Sequence, residues 1–326
     1  MNKGAQAFSS GWLVRRLKDL LPDFPPTGLC VALSGGVDST ALLAALAERK
    51  PLRPRIRAIH VNHRLHPNAK RWVAQCRDLT HRLDVSLTVL TAKVSRARGT
   101  SVEAEARKAR YEALACELGE DEVLLTAHHE DDQLETVLLQ LLRGAGVAGL
   151  AAMPEVTRCG AGRLVRPLLP ISRASLEAFA RSRELEWVED DTNVDERFDR
   201  NYLRRSVLPL IKSRWQGAAR AVSRSARHAG EAQRLLNAVA LGDVEKSAVG
   251  ESLSAKALRT LSPDRRRNAL RFWIASRGAQ LPNTARLEEL AGPVLDARID
   301  AHPYVTWANT TVERRHDLLT VIAAKK

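Results

Sequence analysis

The chain has 326 residues, 44% hydrophobic and 27% charged, with a formal net charge of +13. At about 150 residues per domain that length points to two domains, and the apolar content excludes global disorder. No apolar run approaches the ~20 residues of a membrane span, and the first twenty residues lack a secretory signal's apolar core, so the cytoplasm is the expected compartment and no membrane partner is expected.

Gly11–Leu21 predicts an amphipathic helix that stops at the proline-rich stretch 22–26. Leu29–Leu33 is a short apolar run entering a turn at Gly35-Gly36, and Thr40–Arg49 repeats apolar residues at helical spacing. Arg55–Asn62 and Ser86–Leu90 read as strands on either side of a helix over Asn68–Leu83. A helix over Ser101–Leu118 precedes a fourth strand at Val123–Ala127 and a helix from about Asp131 to Arg143. This alternation predicts an α/β domain with a doubly wound parallel sheet over 1–215, whose ligands sit at the C-terminal strand ends. A proline-rich stretch, a helix at Ser172–Arg183 and an acidic loop follow. Gln216–Ala240 begins a linker helix over 216–245, and 246–326 reads as a small α+β domain. No internal repeat interrupts this order.

Charge is segregated along the chain. Residues 1–100 carry +11, residues 101–200 carry −9, and residues 201–326 carry +11. Basic flanks suit a polyanion, nucleic acid above all, while the acidic middle suits a cation. Arginine used merely for solvation remains the bland alternative.

Two motifs follow strands one and four. In Ser34-Gly35-Gly36-Val37-Asp38-Ser39, two glycines give left-handed freedom and close backbone approach. The helix-start amides and the Ser34 and Ser39 hydroxyls are placed to hold phosphate. No lysine follows the second glycine, so a Walker-type NTPase is not indicated. After the fourth strand comes Thr126-Ala127-His128-His129-Glu130-Asp131-Asp132-Gln133-Leu134-Glu135-Thr136. Asp132 and Glu135 lie three apart, Asp131 and Glu135 four apart, on one helical face. Three readings stand: a capped helix start, a zinc site, or a pocket for an ammonium group. Zinc is disfavoured because H-E-x-x-H is missing.

The hexapeptide resembles the signature of the PP-loop ATP pyrophosphatases, which split ATP between its α- and β-phosphates. The resemblance implies that Ser34, Gly35, Gly36, Val37, Asp38 and Ser39 bind ATP, with Mg²⁺ on its phosphates and no protein ligand assigned. T-A-H-H-x-D-D-Q-x-E-T resembles a motif of the tRNA(Ile)-lysidine synthetase family. So do Ile59–Leu65, Glu103–Tyr111, Leu142–Leu150, Arg166–Leu169 and Glu189–Asn193 with Arg200–Arg204. The likeness is specific over about 28–211 and weaker from Leu253 to Leu319, which resembles the family's tRNA-holding C-terminal domain. Larger members carry a further domain beyond this point, so the resemblance is to a shorter form lacking it. Thr192 stands where serine is usual.

That family joins L-lysine to the wobble cytidine of a CAU-anticodon isoleucine tRNA, forming lysidine, so that AUA is read and isoleucine charged. The resemblance implies two steps: adenylation of the cytidine with release of pyrophosphate, then displacement of AMP by the lysine side-chain amine. Asp38, Arg107, Asp132 and Glu135 are its expected catalytic groups, and His129, Asp131, Asp132 and Glu135 its expected lysine site. Arg107 and Arg110 either reach the ATP phosphates or adenylate, or pair with Glu103 or Glu105. Arg200, Asn201 and Arg204 either face the tRNA or adenylated base, or form ordinary salt bridges. The target cytosine must leave its stack to react. A tRNA thiolase of the same superfamily usually needs C-x-x-C pairs. Cys30, Cys76, Cys116 and Cys159 form none, which also disfavours a disulfide framework or iron–sulfur cluster. A glutaminase-coupled relative needs a domain that does not fit, and a non-catalytic RNA-binding protein does not need so many acids and hydroxyls.

Overall fold

The computed structural model of the chain describes residues 7–62, 68–92, 102–188 and 197–323. They form two compact units, Met1–His228 and Ala229–Lys326.

In the first unit, α1 (Ser10–Leu20) leads into β1 (Gly28–Ala32), and α2 (Val37–Ala47) into β2 (Ile56–Asn62). Then come α3 (Ala69–Arg82), β3 (Ser86–Thr91), α4 (Val102–Glu117), β4 (Glu122–Leu125) and α5 (Glu130–Leu142). After α6 (Val147–Leu150), β5 (Val156–Cys159) and β6 (Gly162–Val165) form a hairpin, followed by α7 (Arg173–Ser182). The unit continues through α8 (Asp199–Tyr202), a π-helical turn at Leu203–Val207 and α9 (Leu208–Arg214). The division between the units falls inside α10 (Ala218–Ser247).

The sheet runs β3-β2-β1-β4-β6-β5, parallel except at the β5–β6 edge. The doubly wound parallel sheet is therefore as expected, with an antiparallel hairpin added to one edge. Alternation along the central strands makes two apolar faces. Leu29, Val31, Val123 and Leu125 pack on one side, Cys30 and Leu124 on the other. Helix α2 is apolar on all sides and almost wholly buried, which suits a helix laid across the sheet centre. The chain leaves β1 first toward β2 and β3, then crosses back to β4 on its other side. The crevice where connections diverge therefore opens at the C-terminal ends of β1 and β4.

The second unit holds β7 (Ala248–Val249), β8 (Ser252–Ser254), α11 (Ala255–Arg259), α12 (Pro263–Ser276) and α13 (Thr284–Glu289). It ends in β9 (Tyr304–Trp307), β10 (Thr310–Arg315) and β11 (Leu318–Ala323). Its antiparallel sheet has the order β7-β8-β11-β10-β9 and packs on a core around Trp273, Leu290, Val312 and Leu319. Arg314 is buried there and donates to the carbonyls of Val294, Leu295, Ala297 and His316, which satisfies its charge without a carboxylate. Among the described residues no helix is long and apolar enough to cross a membrane.

Candidate active site

The glycine turn after β1 holds itself together. The Ser34 amide donates to Ser39 Oγ (3.2 Å), the Gly36 amide to Ser34 Oγ (3.3 Å), and the Ser39 hydroxyl to the Gly36 carbonyl (3.1 Å). Gly35 adopts φ +92°, and a Cβ there would stand 3.3 Å from Cys76 Sγ. Gly36 instead has φ −75°, so only one of the two expected left-handed glycines exists. Gly36 is the N-cap of α2 and carries no side chain to cap it, which leaves first-turn amides open to an anion. The Val37 side chain lies in the core and contributes only backbone. Ser39 is buried and its hydroxyl donates within the turn, whereas Ser34 is exposed. The Leu33 carbonyl ahead of the turn is held 2.9 Å from His60 Nδ1.

The acidic motif starts α5 beside this turn. His129 is its N-cap: Nδ1 accepts from the Asp131 amide, and Asp132 Oδ2 accepts from the His129 amide, a reciprocal cap. Buried His129 then points Nε2 between two carboxylates, 3.6 Å from Asp38 Oδ2 and 3.5 Å from Asp132 Oδ2. Desolvation alone would lower its pKa, but Asp132 and Asp38 outweigh it and hold it up at about 9. Protonation gives up the 3.3 Å bond at Nδ1, a smaller loss than two adjacent carboxylates return. Asp132 stays below its ordinary value: burial opposes ionisation, and the two histidines, the His129 amide and Arg204 overcome it. The neighbouring His128, hydrogen-bonded to Thr126 Oγ1 (2.9 Å), is pushed down by burial.

The other carboxylates are not open. Glu135 is 1% exposed and meets Arg204 in a fork, Oε1 to Nε at 2.7 Å and Oε2 to Nη2 at 2.9 Å. Arg204 Nη2 also reaches Asp132 Oδ1 (3.2 Å), Arg200 Nε stands 3.3 Å from Glu135 Oε2, and Lys212 Nζ lies 2.7 Å from Asp131 Oδ1. Asp131, Asp132 and Glu135 are thus ion-paired rather than open: buried carboxylates demand partners, and the segment 200–212 supplies them. Burial pushes the Glu135 carboxyl up despite Arg204. Arg204, though desolvation pulls it down, is held above its ordinary value by Glu135 and Asp132.

A cavity of about 340 Å³ opens at this cluster. His129, Asp131, Glu135, Arg173, Arg204 and Lys212 line it, with Leu208 and Pro209 as its apolar side. Of the expected site residues, Asp38, His129, Asp131, Asp132, Glu135, Arg200 and Arg204 thus come together. Arg107 adjoins them at His128, whose imidazolium it disfavours. Arg110 is exposed, and its charge adds to the burial that disfavours the His60 imidazolium. Asn201 stands on α8 beside Arg200. His63–Leu65 and Glu189–Asn193 lie outside the described residues, as does the Glu103 side chain. Sequence reasoning missed Lys212 and Arg173, which sit in ordinary helical sequence, and named His60 only as part of the motif Ile59–Leu65.

Residues 11–211 match the PP-loop domain family and residues 253–320 the TilS substrate binding domain family. The chain is 45% identical over 294 residues to the tRNA(Ile)-lysidine synthase of Coxiella burnetii, covering 90% of this chain and 66% of that protein. It belongs to the tRNA(Ile)-lysidine synthase family. The synthase of Alkalilimnicola ehrlichii is 44% identical over 296 residues, again 90% and 66%, and that of Pseudomonas syringae 43% over 312 residues, 92% and 69%. The chain thus spans about two thirds of the length of these curated synthases. Among solved structures, a U34-tRNA thiolase from Methanococcus maripaludis superimposes with a TM-score of 0.55 at 15% identity, over 67% of this chain and 77% of the thiolase, a likeness of fold alone. The first unit of this synthase-family chain therefore carries the PP-loop match and the second the substrate-binding match.

Proposed function

We propose that this chain uses ATP to activate the wobble cytidine of a CAU-anticodon tRNA(Ile), then ligates free L-lysine to it, forming lysidine. The observation that carries the reading is the contact through His129. One imidazole lies within 3.6 Å of Asp38 on the glycine turn and of Asp132 on the acidic helix, so a nucleotide end and an amine end share one side chain.

In the first step cytosine O2 bonds to the ATP α-phosphorus and the bond to the β-phosphate oxygen breaks, releasing pyrophosphate. The turn Ser34–Ser39 and the open amides of α2 receive the departing charge. Arg107, and to a lesser extent Arg110, are assigned to the α-phosphate side. Mg²⁺ fits beside Asp38, whose Oδ1 is buried without a partner, an acceptor suited to a hard cation. Among the described residues no group of three or more His, Cys, Asp or Glu could hold a metal, so the ion would be shared with the phosphates and neutralise charge there.

In the second step the lysine side-chain nitrogen bonds to C2, the C2–O2 bond breaks, and AMP leaves. The incoming ammonium takes over the carboxylates of Asp131, Asp132 and Glu135 as Arg204 withdraws, with His129 as their neighbour. Glu135, whose pKa burial raises, suits the removal of the amine's proton. Arg200, Asn201 and the displaced Arg204 then face the adenylated base. The second unit is assigned to holding the tRNA, and the site of action is the cytoplasm.

The test is pyrophosphate release from ATP with and without the tRNA and lysine, alongside incorporation of labelled lysine. Release that requires tRNA, together with lysine in the product, supports the reading; no release in any combination defeats it. Asp38→Ala is expected to lower adenylation by about 100-fold or more. Glu135→Ala is expected to keep pyrophosphate release and raise the KM for lysine roughly tenfold, and an unchanged KM removes Glu135 from the amine site.

A further inference from the structure

A second concavity, a groove of about 430 Å³, lies between α4 and the β5–β6 hairpin, separated from the glycine turn by β4. Arg107, Lys108, Tyr111 and Glu112 of α4 face Arg158 and Arg166 across it, four cations against one carboxylate. None of the four is paired with a carboxylate among the described residues. Arg166 is 7% exposed. Its Nη1 donates to the Pro154 carbonyl (2.7 Å), while its Nε is buried with no partner. Arg107 stands over the Tyr111 ring, 5.2 Å from its centroid.

Such a groove is incomplete without an anion. Burial opposes the Arg166 charge, Tyr111 offsets part of that through its hydroxyl, and a second guanidinium, Arg107, adds repulsion. A phosphate oxygen beside Arg166 would relieve both, and two arginines offer the forked donors that phosphate takes up. Lys108 and Arg158 on its lining are exposed, so the groove admits a chain that enters and leaves. A half-buried tyrosine under an arginine is a surface on which one base can stack. Arg107 and Arg166 both add to the burial that disfavours the His128 imidazolium, so the charge of the groove is felt beside the acidic cluster.

We propose that this groove holds the phosphodiester backbone of a single-stranded RNA segment flanking the modified nucleotide, with Tyr111 stacking one of its bases. The proposal rests on the function proposed above and adds the surface that keeps the anticodon strand splayed while one base is extruded. Arg166 binds the phosphate nearest the site, and Lys108 and Arg158, both exposed, bind the next, while Arg107 keeps its place on the α-phosphate side.

The experiment uses the whole chain and a labelled anticodon stem–loop RNA bearing CAU. It compares the parent with the double variant Lys108→Ala/Arg158→Ala over a range of KCl concentrations, and measures ATP affinity in parallel. The double variant is expected to bind the RNA about tenfold more weakly, with a log K against log salt slope shallower by about 1.4, and with unchanged ATP affinity. Tyr111→Leu should weaken RNA binding without changing the salt slope. Equal affinity and slope for parent and double variant overturn the groove assignment while leaving the lysidine reading intact. A loss of ATP affinity with unaltered RNA binding gives the groove to the nucleotide and also overturns it. A parent chain that binds no RNA defeats both.

Discussion

His129 sits between Asp38 and Asp132, and its charge decides whether the repulsion between those two acids is offset. Its pKa in the folded chain is held up at about 9 by the carboxylates, against burial. In the unfolded chain it returns to the ordinary histidine value. A group raised on folding stabilises fully below its unfolded pKa and loses that contribution as pH climbs through the folded one. The imidazolium therefore contributes on the order of 3 kcal/mol at pH 6 and little above pH 9. Urea unfolding of His129→Gln at both pH values checks this: the deficit of the variant should be large at pH 6 and shrink by most of its size at pH 9.5. A deficit independent of pH would place a neutral ring there, working only as a helix cap. The same residue marks how far sequence reasoning reaches. The motif placed His129 among the acids, but the direction in which its ring points depends on the cap at Asp131 and on the approach of β1 to β4, neither of which spacing encodes.

At the scale of elements, the segment from α8 through the π-helical turn to α9 acts as a counter-charge to α5. Arg200, Arg204 and Lys212 each meet a carboxylate on α5. A π-helical turn shifts side chains around the axis relative to regular helix, and Leu203–Val207 places Arg204 over both Asp132 and Glu135. Arg204→Ala leaves buried carboxylates under-paired and is expected to lower stability by about 3 kcal/mol, since Arg204 itself is partly exposed. If the amine of lysine takes the same place, millimolar L-lysine should raise the Tm of Arg204→Ala more than that of the parent, and norleucine should raise neither. Equal shifts for both proteins would separate the lysine site from Arg204. These pairings were not legible in the sequence, because arginine at 200 and 204 suits RNA, adenylate or a salt bridge equally well. The strand–turn–helix order was legible, since β1, α2, β4 and α5 each announce themselves by period and by the turn between them. The β5–β6 hairpin was not: its strands are four residues long, β5 carries Arg158 and β6 Arg163, and only Gly160 hints at the reversal.

For the whole molecule, the charge map takes on a different meaning once folded. Its acidic third contributes Asp131, Asp132 and Glu135, and the basic residues that neutralise them, Arg204 and Lys212, come from the following basic stretch within the same unit. These charges are spent inside the protein. The excess behind the net charge of +13 therefore lies with groups such as Lys108 and Arg158, which face solvent. Internal and external charges answer differently to salt. Exposed cations on RNA release counterions, so raising KCl from 50 to 200 mM should weaken tRNA binding by roughly 100-fold or more, as neutralising about five phosphates requires. Lysine held by carboxylates inside the cavity is shielded from bulk ions, and its affinity should change by less than about threefold over the same range. Titrating each ligand at both salt concentrations separates the two cases. A lysine affinity that falls in step with that of tRNA would mean the amine is captured on an exposed acidic surface, and the cavity at Glu135 would lose its role.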